Sequence, residues 1–253
     1  MLHLTNIQKS FHQNTPNEMN LFKQFNLKIN EGEFVVIVGS NGSGKSTLLN
    51  LIDGNLPVDH GMISFMSQNI TKILPHLRAK DISRVYQDPS KGTAPTLTIR
   101  ENMSLALNKG KKFGLTSGVN KEEEEHIKQL LSLLELHLED KLDIPVGLLS
   151  GGQRQALGLL MAVCSKPKLL LLDEHTAALD PKASEHMMQL TNKLVKEFSM
   201  TTIMITHQLK DALAYGDRCI MMHLGDVVLD VSGDKKKQLQ AKDLVSLFHE
   251  LSI

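Results

Sequence analysis

The run Phe34-Val35-Val36-Ile37-Val38 passes without a break into Gly39-Ser40-Asn41-Gly42-Ser43-Gly44-Lys45-Ser46-Thr47 and then into Leu48-Leu49-Asn50-Leu51. A continuous β-branched stretch bounded by Gly32 and Gly39 suits a central parallel strand buried on both faces, and the leucine-rich segment suits a helix. The glycines between them let the backbone turn tightly, so that successive N–H groups can converge on phosphate oxygens. The helix N-terminus adds its partial positive charge. This is the P-loop pattern in the context it requires, strand before and helix after. It predicts a nucleotide cradle for ATP made by Gly39, Asn41, Gly42, Ser43, Gly44, Lys45, Ser46 and Thr47. Lys45 supplies a point charge to the β- and γ-phosphates, and the Ser46 hydroxyl is placed to ligate Mg²⁺.

A second anchor is needed for the metal and for water. Leu169-Leu170-Leu171-Leu172 runs into Asp173 and Glu174. Leucine alone is ambiguous between helix and strand, but the short length and the preceding Pro167 favour strand. Two carboxylates then stand at the end of a buried strand. Asp173 would hold Mg²⁺ through water, and Glu174 would polarise the attacking water; the alternative for Glu174 is a cap on the following helix. Thr202-Ile203-Met204-Ile205 is a third apolar run, closed by Thr206 and His207.

Composition removes several function classes. Lys+Arg and Asp+Glu both number 28 in 253 residues, so the formal net charge is zero and gives no general pull towards nucleic acid. Aromatic residues make up 4% with no Trp, which argues against a base-stacking surface. The two cysteines, Cys164 and Cys219, show no metal-ligand spacing and read as free thiols of a reducing compartment. No apolar run approaches the roughly 18–20 residues of a membrane span, and the N-terminus lacks the layout of a signal peptide. A cytoplasmic location is expected.

The first stretch, up to Glu33, reads as short antiparallel strands with a loop over Gln13–Asn20. The segment from Pro89 to Ser165 differs in character. Its acidic run Glu122–Glu125 suits a helix N-terminus, and Ile127 to Leu138 has helical periodicity. The tail from Asp234 to Ile253 predicts one amphipathic helix, with Lys235, Lys236 and Lys237 as a wet surface.

Leu149-Ser150-Gly151-Gly152-Gln153 narrows the reading. Ser150 and the two glycines can open a helix whose N–H groups face an anion. This segment resembles the signature motif of the ABC ATPases, and other landmarks of that family follow in order. Gln87, in Val85-Tyr86-Gln87-Asp88-Pro89, resembles the glutamine that touches Mg²⁺ or the attacking water. Asp180, in Ala178-Leu179-Asp180, resembles the loop that communicates across the dimer. His207 resembles the histidine that senses the γ-phosphate, and Phe11 lies where the family has an aromatic stacking on adenine, although it also suits a core or turn position. His175 departs from the pattern, because the family commonly has Pro there; a histidine beside the water could make hydrolysis pH-sensitive.

The resemblance implies an α/β fold: a P-loop NTPase with a RecA-like parallel sheet core, an N-terminal antiparallel β-subdomain and an inserted α-helical subdomain. One nucleotide-binding domain would span residues 1–253, with 1–88 and 166–253 forming the core and 89–165 the helical part. The implied protein is an ATPase that dimerises around ATP, as a homodimer or with a paralogue, each nucleotide lying between one subunit's P-loop and the other's Ser150–Gln153. It implies integral membrane permease subunits, an extracytoplasmic substrate-binding protein and a peripheral place on the inner face of the membrane. Gly92–Asn102 and Asp173–Pro181 resemble ATPases of amino-acid importers, several described as tryptophan/tyrosine systems. An export system, or a non-transport ABC ATPase, is the alternative.

Overall fold

The computed structural model describes residues 1–110 and 121–250. Strand β1 (Leu2–Phe11) pairs antiparallel with β2 (Met19–Ile29), and the loop between them covers residues 12–18. Alternation of buried and exposed positions along β2 gives one core face. Strand β3 (Phe34–Gly39) is buried along its whole length and leads into helix α1 (Lys45–Asp53). Strands β4 (His60–Phe65) and β5 (Gln68–Asn69) complete a sheet of order β2-β1-β4-β5. A short helix, α2 (Pro75–Arg78), follows; buried Arg78 donates to the carbonyls of Leu51 and Ile52 at 2.8 and 2.9 Å and so closes the C-terminus of α1.

Strand β6 (Ile82–Val85) opens the middle of the chain. Helix α3 (Ile99–Leu107) starts at a capping box made by Thr98 and Glu101. The amide of fully buried Asn102 bonds Ala94, Leu97 and Thr98, binding the segment before α3 to the helix. Helix α4 (Lys121–Ser132) carries Glu122–Glu124 in its first turn, as expected of an acidic N-terminus. It ends six residues short of the expected Leu138. Leu134 and Leu138 remain buried, but Glu135 and His137 adopt positive φ, so the apolar spacing continues without helical backbone. Helix α5 (Gly151–Cys164), strand β7 (Leu169–Asp173) and helix α6 (Pro181–Glu197) follow. The pair β6 and β7 is parallel, with Arg84 opposite Leu171.

Strand β8 (Thr201–Ile205), helix α7 (Leu209–Ala214), strand β9 (Arg218–His223) and strand β10 (Asp226–Ser232) come next. β3 lies between β8 and β9, parallel to both, and β10 pairs antiparallel with β9. The strand before the glycine-rich loop is flanked on both edges and buried along its whole length, and burial of both faces accounts for its unbroken apolar run. The tail forms two helices rather than the expected one, α8 (Gly233–Gln238) and α9 (Ala241–Glu250), because Leu239 is extended. Lys236 is not on a wet surface: it is buried, and its ammonium bonds the carbonyls of Tyr215 and Gly216.

By contacts the chain forms two units, Met1–Ala79 with Met200–Ile253, and Lys80–Ser199. Helices α3, α4 and α5 all lie in the second. Among the described residues, no helix is long and apolar enough to cross a membrane.

His175, 2% exposed in the second unit, places Nε2 2.9 Å from Thr191 Oγ1. The Thr191 hydroxyl donates to Met187 O at 2.8 Å. The imidazole must therefore be the donor in its own bond, and it is neutral. Burial pushes its pKa down to about 4, so its titration falls far below neutral pH and does not supply the pH-sensitive hydrolysis that its position suggested. In the unfolded chain the group takes up a proton near pH 6.5. The unfolded state thus binds more protons between pH 6.5 and about 4, and stability falls as pH is lowered through that window. His175→Gln keeps a donor for Thr191 and removes the titration. Denaturant unfolding at pH 7 and pH 5 should show the wild type losing roughly 2 kcal/mol more in total than this variant.

Candidate active site

The loop between β3 and α1 is braced from below. Lys45 is 5% exposed, and its ammonium donates to Gly39 O at 2.8 Å and Ser40 O at 2.9 Å, pulling the two ends of the loop together. Gly44 has φ +100°, and a Cβ there would stand 2.9 Å from the Phe22 ring; only glycine permits both the turn and the contact. The turn joining β9 to β10 supports the other flank. Gly225, at φ +89°, donates its N–H to Ser43 O at 3.1 Å, and a Cβ on it would lie 1.7 Å from Leu21 O.

Buried Ser43 keeps a side-chain hydroxyl with no hydrogen-bond partner. An unsatisfied buried hydroxyl costs about 1–3 kcal/mol, and a phosphate oxygen would satisfy it. Asn41, Gly42 and Ser46 are exposed along the same loop, with Thr47 half-buried. The loop therefore fits a nucleotide's phosphates on its own geometry. In the same unit, His207 follows β8 and is exposed, in a turn fixed by Gln208 N–H donating to Thr206 Oγ1 at 3.0 Å. Phe11 closes β1, half-buried, with Lys9 Nζ 5.8 Å from its ring centroid. That contact gives the ring a partner within the chain.

The second unit brings together the other group of predicted residues. Asp173 ends β7 and forms a 2.6 Å ion pair with Arg84 of β6. Glu174 follows at φ +50°. For a non-glycine residue this is a sparsely populated conformation, of a kind that gathers where a side chain must be aimed. Gln87 lies exposed just beyond β6. Asp180 caps α6, accepting from Lys182 and Ala183 N–H at 3.1 Å each. Within this unit Asp173 offers a carboxylate and Gln87 an amide oxygen, and the loop of the first unit offers the Ser46 hydroxyl; each is a hard oxygen donor of the kind that suits Mg²⁺.

Ser150 opens α5 in a reciprocal capping box, its Oγ accepting from Gln153 N–H and its own N–H donating to Gln153 Oε1, both at 3.2 Å. The N–H groups of Gly151 and Gly152 fall in the first helical turn, where no carbonyl of the helix reaches them. A Cβ on either glycine would meet nothing within 4 Å. Neither packing nor backbone twist within the chain demands glycine there, so close approach by an outside group is the remaining physical use.

Sequence reasoning missed Arg84. Its only signal was a charge inside the apolar strand Ile82–Val85, and the residue it serves lies 89 positions away.

Comparison with known proteins agrees with this geometry. The ABC transporter family model matches residues 22–177. A tyrosine transport ATP-binding protein of Clostridioides difficile is 48% identical over 98% of both chains. A spermidine/putrescine import ATP-binding protein of Haemophilus influenzae is 35% identical over 92% of this chain and 58% of its own length. Among solved structures, a dimeric ATP-binding cassette in a post-hydrolysis state with ADP and phosphate superposes at a TM-score of 0.78, with 32% identity, 92% coverage of this chain and 98% of the other. A cassette in its ADP conformation gives the same TM-score at 26% identity, covering 99% and 98%. The chain belongs to the ABC transporter family as an ATP-binding and ATP-hydrolysing subunit.

Proposed function

We propose that this subunit powers the uptake of tyrosine or a closely related amino acid, as a dimer seated on a separate integral membrane permease that receives its cargo from an extracytoplasmic binding protein. The observation that carries this reading is the likeness to a tyrosine transport ATP-binding protein, 48% identical across 98% of both chains. The cargo would touch the other subunits, so this chain contributes the motor.

Hydrolysis would rest on positioning and electrostatics. Lys45, already folded over the loop, neutralises charge on the β- and γ-phosphates. Ser46, Asp173 and Gln87 are the residues that would hold Mg²⁺, which would supply further neutralisation of the phosphate oxygens. Glu174 orients the attacking water and draws its proton, while His207 donates to the γ-phosphate. Phe11 offers a ring to adenine. Ser150 to Gln153 would present the open first turn of α5 to the γ-phosphate held by the partner, with Asp180 near the dimer contact. ATP then joins two subunits, and loss of the γ-phosphate releases them.

The second unit also carries a groove of about 250 Å³, lined by Tyr86, Asp88, Pro89 and Gly92 and by Leu105 and Met161 from α3 and α5. It adjoins Gln87 and mixes apolar walls with a few polar groups, which suits a short helix from the permease. Its position supports a route by which permease docking reaches the nucleotide.

Three variants test these assignments. Lys45→Ala should weaken ATP binding by roughly 10- to 100-fold in a nucleotide titration, the worth of charge-assisted hydrogen bonds. Glu174→Gln should bind ATP normally, lose about 10²- to 10⁴-fold in turnover and accumulate as a dimer by light scattering; unimpaired turnover would remove Glu174 as the base. Leu105, 48% exposed at the groove, should tolerate Glu in the isolated subunit. Leu105→Glu should leave basal ATPase unchanged yet abolish stimulation by a co-purified permease.

A further inference from the structure

Arg84 is a buried cation in a short strand, and none of the family landmarks named above includes it. Its side chain is 7% exposed and that of Asp173 15%. The β6–β7 register places Arg84 opposite Leu171. Asp173, two residues further along β7, therefore points to the same face. The guanidinium nitrogen lies 2.6 Å from Asp173 Oδ2. On another side, the guanidinium carbon sits 4.9 Å from the centroid of the Tyr86 ring. The cation is thus held between a carboxylate and an aromatic face, in the strand that ends just before Gln87.

We propose that Arg84 is a positioning residue for Asp173, fixing the orientation in which that carboxylate meets the divalent cation of the nucleotide. A carboxylate at the end of a buried strand can rotate about its last bond, and orienting partners of metal-ligating groups govern metal affinity. A guanidinium donates along fixed directions, and its bond to Oδ2 fixes the place of that oxygen and so limits rotation of the group. An ionised carboxylate accepts at about four sites on two oxygens, and the Arg84 bond on Oδ2 occupies one of them. The Tyr86 ring restrains the guanidinium in turn. Because Arg84 also borders the groove beside α3 and α5, the same side chain touches both the proposed docking surface and the metal-holding carboxylate. The inference rests on the assignment of Asp173 as the metal residue.

The test reads cation binding rather than turnover. A fluorescent ADP analogue is titrated onto the full chain in EDTA and then over a range of Mg²⁺ concentrations, for the wild type, Arg84→Met and Asp173→Asn. Arg84→Met should bind the nucleotide in EDTA with wild-type affinity and require about 10- to 100-fold more Mg²⁺ to reach half of the Mg²⁺-dependent enhancement. Arg84→Lys, which keeps the charge but not the fork, should fall between. A wild-type Mg²⁺ midpoint in Arg84→Met, with or without a lowered melting temperature, would leave Arg84 a structural ion pair only and overturn the proposal. If Arg84→Met does not fold, Arg84→Gln is read in the same way. A shift in Asp173→Asn without one in the Arg84 variant sinks this inference alone; no shift in Asp173→Asn sinks the assignment of Asp173 and the inference with it.

Discussion

One ammonium group closes the loop between β3 and α1. Lys45 stands at the first residue of α1, yet its Nζ folds back onto the carbonyls of Gly39 and Ser40, where the loop begins. This clasp closes the loop before any ligand arrives. Such preorganisation matters because the chemistry is phosphoryl transfer, in which the protein has little covalent work and must contribute fixed charges and dipoles. The clasp is itself supported, by Phe22 pressed against Gly44 and by the Gly225 N–H on Ser43 O. A β-strand near the N-terminus and a hairpin near the C-terminus therefore serve the same few residues of the loop.

The second unit solves a different problem, which is keeping charge at the end of an apolar strand. β7 is fully buried for four leucines and then presents two carboxylates. Asp173 would be costly there alone. Arg84 meets that cost at 2.6 Å. Glu174 instead leaves the strand through a positive-φ turn, closed by Ala177 N–H on its own carbonyl at 2.9 Å. Neighbours in sequence thus receive opposite treatment: one carboxylate is anchored and the other is aimed. His175, immediately after, is packed away as a neutral donor to Thr191, which fastens the turn from inside the unit.

What was legible in the sequence followed the range of the interaction. The strand, loop and helix around Lys45 could be read because each demands its own local composition over a few consecutive residues. The opening of a helix at Ser150 could be read for the same reason. Arg84 with Asp173 could not, since the two residues lie 89 positions apart and meet only through the register of two strands. Periodicity misled where tertiary packing took over. Leu134 and Leu138 keep their spacing after α4 has ended. Lys236 sits in a run of three lysines yet turns inward, because the carbonyls of Tyr215 and Gly216 need a donor at the close of α7. Phe11 stays ambiguous for a physical reason, since Lys9 offers its ring a partner with or without an adenine.

The glycines at the head of α5 carry the argument for a second subunit further than any charge does. Glycine in a helix costs about 1 kcal/mol against alanine, and a chain keeps two in succession only for a reason. Gly44 and Gly225 have theirs within the chain, in positive φ and in neighbours that a Cβ would strike. Gly151 and Gly152 have neither: both are helical, and the space around their missing Cβ atoms is open. Ser150 meanwhile satisfies the third N–H of the helix and leaves the first two pointing outward. A bare, unobstructed first turn is what an anion needs if it is to approach the backbone itself. On the proposed function, that anion would come on the loop of a second ATPase subunit, another copy of this chain or a paralogue.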